Sequence, residues 1–145
     1  FRSAVLSQAM RSREIHRTYQ AFALGETAAS GTIDAPIARL DGSLIQRTVD
    51  FASGERSVTH YRTLAHCSVF SHLELNLETG RTHQIRVHMA YIGHPLLGDT
   101  LYNKTPGTFP RQALHSASLS FVHPITGEPL NFHAPLPEDM QNLLT

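Results

Sequence analysis

The chain has 145 residues, 41% of them hydrophobic, which is enough for one compact domain with a core. Twelve basic and twelve acidic residues cancel, so any contact with a nucleic acid has to depend on a local patch. The single cysteine, Cys67, excludes an internal disulfide and favours a reducing, cytoplasmic setting. No apolar run approaches the ~18 residues of a membrane span, and no signal-peptide pattern is found.

The first predicted elements are a helix end and a strand. Residues 4–15 carry apolar side chains at helical spacing. Residues 16–26 alternate, with Tyr19 and Ala21 on one side and Phe22 on the other, as a strand does. A turn and a short edge segment are predicted next, because Gly31 and Pro36 interrupt the pattern.

The clearest strands are predicted over residues 57–64 and 70–78. In the second, Leu73 and Leu75 face inward while Glu74 faces outward. Thr79 and Gly80 end this strand.

A helix is predicted from His83 to Ile92, with Thr82 as its N-cap and Gly93 at its end. Residues 114–135 predict two strands joined by a turn at 124–127, and residues 136–144 predict a short closing helix with Pro137 in its first turn. Strands outnumber helices and do not alternate with them regularly. The predicted class is α+β, with a mixed, largely antiparallel sheet flanked by short helices.

The most informative run is "LETGRTHQIRVHMAYIGHPLLGD", residues 77–99. Its arginines, Arg81 and Arg86, suit a bidentate pair with a carboxylate or a phosphate, although surface pairing with Glu74 or Glu78 is an equally open interpretation. Its histidines, His83 and His88, are five residues apart and so lie roughly 140° apart on a helix, whereas a helical zinc pair needs four-residue spacing. No metal site is predicted.

Several segments, in order, resemble a known family. Residues 77–102, "LETGRTHQIRVHMAYIGHPLLGDTLY", are similar to the third signature motif of the RluA/RluD family of RNA pseudouridine synthases. "RTYQAFALG" (17–25) resembles the family's tyrosine-bearing strand, and "SGTIDAPIAR" (30–39) resembles the loop after it. "VTHYRTL", residues 111–140 and the closing helix follow in the family's order. The resemblance therefore covers essentially the whole chain.

The resemblance implies a reaction and roles for particular residues. Members of the family isomerise uridine in RNA to pseudouridine without a metal or an organic cofactor. Tyr19 matches a tyrosine that stacks on the target base and is a candidate to move a proton; without the family it would be an ordinary strand tyrosine. Arg86 matches the basic residue that pairs with the catalytic aspartate and keeps it ionised. Arg81, His83 and Gln84 are candidates for structural roles or for contacts with the RNA backbone.

The family's catalytic aspartate belongs to an H-R-L-D-x-x-T-S-G motif before the tyrosine strand, and this sequence lacks that motif. Asp41, in "ARLDGS", follows Tyr19 and lacks both the preceding histidine and the T-S-G, so it is predicted at a loop tip. Asp99, in "LLGD", is predicted to be structural. Residues 1–145 are thus interpreted as the C-terminal portion of one catalytic domain, inactive by itself because it lacks the nucleophile.

The expected partner is RNA, with large-subunit ribosomal RNA favoured over transfer RNA. If the missing portion joins the same sheet, the chain should expose an unpaired edge and apolar surface. Self-association, or pairing with that portion, would cover them. Two other classes stay open from the residues alone: a non-catalytic RNA-binding or ribosome-assembly module, and a hydrolase that depends on a metal or on its histidines.

Overall fold

A computed structural model of the chain describes residues 15–107, 109–122 and 125–144. Except for Ile15, the helix predicted over residues 4–15 lies outside this range. Within it there are eight strands, two α-helices and a closing 3₁₀ turn. The strands are β1 (Ile15–Leu24), β2 (Ser30–Asp34), β3 (Ile37–Arg39), β4 (Arg47–Val49), β5 (Val58–His66), β6 (Phe70–Leu77), β7 (Leu114–Val122) and β8 (Pro129–His133). The helices are α1 (Gln84–Tyr91) and α2 (Glu138–Gln141), and the 3₁₀ turn is Asn142–Leu144.

Six of the strands form one sheet in the order β2-β5-β6-β1-β7-β8, while β3 and β4 form a separate two-stranded ladder. Every pairing between these strands is antiparallel. The predicted α+β class with a largely antiparallel sheet is confirmed. The segment predicted at an edge is also confirmed, because β2 lies at one end of the sheet.

Strand β1 lies inside the sheet and separates two cores. Its odd-numbered residues Ala21 and Ala23 belong to a buried cluster with Ile85 and Met89 of α1, and Tyr19 packs against that cluster. Its even-numbered residue Phe22 belongs to a second cluster with Ala113 and Met140. The alternation predicted for this strand is confirmed, and it places Tyr19 on the face that α1 covers.

Helix α1 begins one residue later than predicted. His83, not Thr82, is the N-cap residue, with a left-handed φ of 57° and no side-chain capping bond. The predicted end at Gly93 is confirmed: Gly93 has a φ of 89°. The N–H groups of Gly93 and His94 donate to the carbonyls of Ala90 and Met89 at 3.1 and 2.8 Å, as in a Schellman motif.

The β3–β4 hairpin was not predicted. Each of its strands has only three residues, too few for a period-two pattern to register. Asp41 lies in the turn between the two strands and is exposed, which confirms the predicted loop tip. The hairpin is tied to the loop before β5, because Gly54 packs so tightly that an added Cβ would lie 2.4 Å from the Asp50 carbonyl oxygen.

The chain closes as predicted with two strands and a short helix. Strands β7 and β8 pair antiparallel, with Leu119 opposite Phe132. Pro137 is the N-cap of α2 and not, as predicted, a residue of its first turn. Among the described residues, none of the helices has both the length and the apolar character needed to cross a membrane.

Candidate active site around Arg86

Arg86 projects from α1 into a bidentate ion pair with Asp99. Its Nε donates to Asp99 Oδ2 at 2.9 Å and its Nη2 to Asp99 Oδ1 at 2.8 Å. The Arg86 side chain is 14% exposed and that of Asp99 is fully buried. The sequence analysis assigned Arg86 only the catalytic aspartate, which this chain lacks, as its partner; the structure shows that Asp99 of this chain already occupies one edge of the guanidinium.

The alternative of surface pairing with Glu74 or Glu78 is wrong for Arg86, and for Arg81 it is right about the surface ion pair but wrong about the partner. Glu74 pairs with Arg62 at 3.1 Å, and Glu78 pairs with Arg56 at 3.4 Å. Arg81 pairs instead with Glu55, at 3.0 Å. These partners come from strands and loops distant in sequence, so spacing along the chain could not identify them.

Asp99 is held as a fixed anion, as its predicted structural role requires. Besides Arg86, the backbone N–H groups of Leu101 and Tyr102 donate to its Oδ1 at 3.1 and 3.2 Å. Burial would raise the pKa of Asp99, but the Arg86 guanidinium and these two N–H groups outweigh burial and lower it below its usual range. The hydrogen bond to Asp99 likewise raises the pKa of Arg86.

Tyr102 is a residue of this site that sequence reasoning missed. The Arg86 guanidinium lies over its ring, 5.2 Å from the centroid. Its hydroxyl accepts the backbone N–H of Arg47 at 2.8 Å and is 2.8 Å from Nδ1 of His83. Burial raises the pKa of Tyr102, which therefore stays a neutral phenol. The available signal was its place as the last residue of the motif at residues 77–102, three residues after Asp99.

His83 joins the site through an unusual backbone conformation. It is the only non-glycine residue with a positive φ in the described part of the chain. This left-handed conformation costs a non-glycine residue about 1–2 kcal/mol. Burial lowers the pKa of His83, and the nearby charges of Arg86 and Arg47 lower it further. A neutral imidazole therefore lies beside the Arg86 guanidinium.

Gln84 does not face solvent, which favours the structural role, one of the two alternatives predicted for it, over a contact with the RNA backbone. It is 2% exposed. Its Oε1 accepts from the Thr79 hydroxyl at 2.8 Å and from the Arg81 backbone N–H at 3.0 Å. Its Nε2 donates to the Val58 carbonyl and to the Thr59 hydroxyl oxygen, both at 3.0 Å. All of its hydrogen-bonding capacity therefore serves the junction between β5 and α1.

His88 completes this junction one helical turn later. It is fully buried, with Nδ1 at 2.8 Å from the Thr59 hydroxyl and Nε2 at 2.8 Å from the Ala35 carbonyl. The carbonyl can only accept, so Nε2 carries the proton. Burial lowers the pKa of His88, and the bond to Ala35 and the charge of Asp34 offset only part of that. A neutral histidine thus fixes the helix that carries Arg86.

Arg81 and Tyr19 differ in their surroundings. Arg81 is exposed, and its Nε donates to the Arg56 carbonyl at 3.0 Å, so it lies on the surface just before α1.

Tyr19 is half-buried in β1, opposite Leu75 of β6 and Ser116 of β7. Its ring packs on the cluster containing Ile85, the residue that precedes Arg86. Tyr19 and the helix that carries Arg86 therefore lie on the same face of the sheet.

The Arg86 guanidinium retains hydrogen-bonding capacity. Asp99 uses Nε and Nη2, and within the described residues Nη1 donates to no acceptor. Guanidinium carries five N–H donors, so a second anion can bind at Nη1 while Asp99 holds the other edge. Chemically, the site is a positioned, partly desolvated cation beside an aromatic wall and a neutral histidine. In the described parts of the chain, no group of three or more His, Cys, Asp or Glu residues is arranged to hold a metal ion.

Comparison with known proteins identifies the class. The family model described as RNA pseudouridylate synthase matches residues 3–91, which is more than half of the chain. The chain therefore belongs to the RNA pseudouridylate synthase family, as its motifs predicted.

Individual relatives agree with this assignment. The chain is 50% identical to an uncharacterized RNA pseudouridine synthase, YjbO, of Bacillus subtilis over 99% of its own length and 51% of that protein. It is 47% identical to the ribosomal large subunit pseudouridine synthase D of Vibrio cholerae, covering 93% of this chain and 46% of that one. For the Escherichia coli synthase D the identity is 44%, over 96% and 47%. The chain thus spans about half the length of these relatives.

Solved structures show the same architecture. Human RNA pseudouridylate synthase domain containing 1 superposes with a TM-score of 0.78 at 26% identity, over 92% of this chain and 59% of that one. Human RNA pseudouridylate synthase domain containing 4 gives 0.79 at 22% identity, over 98% and 66%, and supports the fold.

Proposed function

We propose that this chain is the C-terminal portion of the catalytic domain of an RNA pseudouridine synthase, which isomerises uridine within structured RNA. The observation that carries the proposal is the Arg86 guanidinium, which is held on one edge by Asp99 and whose Nη1 has no acceptor among the described residues. Membership of the synthase family supports the reaction.

Arg86 is proposed to hold the nucleophilic carboxylate of the enzyme. A carboxylate at Nη1 would gain a charge-assisted bond from a guanidinium that is only 14% exposed. Such a partner lowers the pKa of a carboxyl and keeps it ionised for attack on the glycosidic centre. The clamp by Asp99 contributes by fixing the guanidinium before that carboxylate arrives.

Asp99 itself is a poor candidate for the nucleophile. Both of its oxygens accept hydrogen bonds within the chain, and its side chain is fully buried. Asp41 is exposed at a hairpin tip. The nucleophilic aspartate is therefore proposed to come from polypeptide outside these 145 residues, consistent with relatives about twice as long.

Tyr19 is proposed to stack on the target base. Its ring is half-buried on the face of the sheet that also carries α1. An aromatic face can replace the stacking that a base loses when it is flipped out of RNA.

The RNA is proposed to be large-subunit ribosomal RNA, and the site of action the cytoplasm. Support for the substrate comes from the relatives named ribosomal large subunit pseudouridine synthase D. A single unpaired cysteine, Cys67, supports a reducing compartment. The non-catalytic RNA-binding or ribosome-assembly module is not favoured, since these relatives bear the names of enzymes.

The β8 side of the sheet is proposed to be covered in the complete protein. In the described chain β8 pairs only with β7. Phe132 on this strand is 55% exposed, and three other residues of β8 are exposed too. The remainder of the polypeptide, or a second copy of the chain, would cover this side.

The function is tested by Arg86→Met in the complete synthase, with Arg111→Met as the matched control. Arg111 also forms an ion pair with an aspartate, Asp139 of α2, but this pair lies at the surface. Pseudouridine in ribosomal RNA is mapped by carbodiimide-stop primer extension. We expect Arg86→Met to abolish the modification and Arg111→Met to leave it unchanged. Near-normal modification by Arg86→Met would show that the role of Arg86 is misassigned.

A further inference from the structure

A cavity lies between α1 and the β3–β4 hairpin, on the side of the helix that carries Ala90. Its volume is about 330 Å³, at the small end of the range for ligand pockets. Its walls are mostly apolar, and they contain one cation and no carboxylate. They are formed by Leu40, Gln46, Arg47, Thr48, Val49, Val87, Ala90, Tyr91 and Tyr102.

Two exposed aromatic rings contact each other at this end of α1, and one of them, Tyr91, lines the cavity. Tyr91, the last residue of α1, is 53% exposed, and Phe51, just after β4, is 69% exposed. Their ring centroids are 6.5 Å apart at an interplanar angle of 55°. The contact between the two rings stabilises the fold only modestly, and burying both rings would stabilise it more, yet more than half of the surface of each residue stays exposed. They suit a planar ligand that stacks.

The hairpin at this cavity carries an unfavourable arrangement of charge. Arg39 of β3 and Arg47 of β4 are directly opposite each other in the ladder. Like charges at such positions repel, so folding alone disfavours the pair. Asp50 accepts from the backbone N–H groups of Ala52 and Ser53 and, among the described residues, forms no ion pair with either arginine. The arrangement is explained if an anion binds along the hairpin.

The cavity adjoins the Arg86 site. Tyr102 is part of its wall, and the Arg86 guanidinium lies 5.2 Å from the centroid of the Tyr102 ring. The hydroxyl of Tyr102 accepts a hydrogen bond from the backbone N–H of Arg47 at 2.8 Å. A ligand in the cavity would therefore lie one aromatic ring away from the guanidinium.

We infer that this cavity binds a single unpaired base of the RNA, a neighbour of the target uridine, while Arg39 and Arg47 meet its phosphates. The inference rests on the proposed function. When the target base leaves the stack, its neighbours lose a stacking partner, and an aromatic-lined pocket next to the reaction site can accept one of them. A volume near 330 Å³ suits one base with its ribose.

Two variants of the 145-residue chain probe the cavity. Tyr91→Ala removes the exposed rim ring, and Ala90→Leu fills the cavity with a side chain that favours helix. Phe132→Ala is the control, since it removes a ring of similar exposure from β8. Affinity is measured by fluorescence polarisation with a stem-loop RNA. We expect the two cavity variants to bind the stem-loop roughly 5-fold or more weakly, the loss of one base–aromatic stack. Binding to a fully paired duplex, and that of the control, should not change.

Photocrosslinking then locates the base. The same stem-loop carries 4-thiouridine at one loop position at a time, and tryptic peptides are mapped by mass spectrometry. We expect crosslinks in peptide 87–104, which contains Tyr91 and Tyr102, and their loss in Ala90→Leu. Crosslinks confined to peptide 18–39, which contains Tyr19, would overturn this inference and leave the proposed function intact. Unchanged affinity in both cavity variants would also overturn it, and no binding of the complete synthase to any RNA would overturn both.

Discussion

The guanidinium of Arg86 is gripped on one edge by Asp99, through bonds of 2.8 and 2.9 Å, and the carboxylate of that pair is fully buried. The ion pair therefore fixes the position of the Arg86 guanidinium and keeps the Asp99 carboxylate charged. Removing one partner of a buried ion pair leaves the other charge buried without a counter-charge. This costs far more stability than losing an exposed pair.

Asp99→Asn should therefore destabilise the chain by about 3 kcal/mol, toward the lower end of the range for buried pairs because Arg86 keeps some contact with water. Urea unfolding at neutral pH measures the effect. The matched control is Asp139→Asn, which breaks the surface pair with Arg111 and should cost about 0–1 kcal/mol. Equal losses in the two variants would contradict the account of Asp99.

The left-handed conformation of His83 predicts an inverted preference between glycine and alanine. His83→Gly should be more stable than His83→Ala by about 1 kcal/mol, because glycine adopts a positive φ without strain. At Tyr91, an exposed residue at the end of α1, alanine should be the more stable of the two. Thermal unfolding of the four variants tests this, and alanine being better at both positions would contradict the assigned conformation.

The buried neutral histidine predicts how stability depends on pH. Burial lowers the pKa of His88 in the folded chain, while the unfolded chain has the ordinary value near 6.5. As the pH falls below about 6.5 the unfolded state binds more protons, so the free energy of unfolding should fall until the pH passes the folded value.

His72 and His83, whose pKa values burial also lowers, should contribute to the same loss. His88→Gln should therefore show a smaller decline between about pH 7 and pH 5 in urea-unfolding series, since that residue no longer titrates. His133→Gln, which changes an exposed histidine of β8, is the control. An unchanged slope in His88→Gln would contradict a buried neutral imidazole.

Gln84 and Arg81, three residues apart, should respond in opposite ways. Gln84→Leu should cost about 2 kcal/mol or more in stability, because it leaves buried donors and acceptors without partners, and should not alter RNA affinity. Arg81→Gln should leave stability nearly unchanged. If Arg81 meets a phosphate, it should also reduce the salt dependence of binding by about one counterion. Binding isotherms over a salt series measure this. Weaker RNA binding by folded Gln84→Leu would restore Gln84 as an RNA contact.

The sequence predicted what local pattern determines. The alternation of leucine and glutamate correctly predicted β6. The alternation around Tyr19 correctly predicted β1 and the two faces of that strand. The family motif singled out Arg86. The motif could not show that Asp99 occupies one edge of the Arg86 guanidinium, because the contact between these two side chains depends on how the chain turns after Gly93.

Other features depended on tertiary context. Gln84 looks like a polar surface residue in sequence, and only the packing of α1 on β5 buries it. The positive φ of His83 contradicts the usual preference for glycine, and the motif that ends at Tyr102 gives no sign that this ring lies against the Arg86 guanidinium. The β3–β4 hairpin, with its opposed arginines, was too short for any periodicity to reveal.

The central claim is that this chain supplies Arg86 to a reaction whose nucleophile comes from elsewhere in the protein. Pseudouridine formation, mapped by carbodiimide-stop primer extension on ribosomal RNA, tests it with three samples: the 145-residue chain, the complete synthase, and the complete synthase with Arg86→Met. We expect modification by the unaltered complete synthase alone. Conversion of uridine by the 145-residue chain without the rest of the protein would contradict the claim.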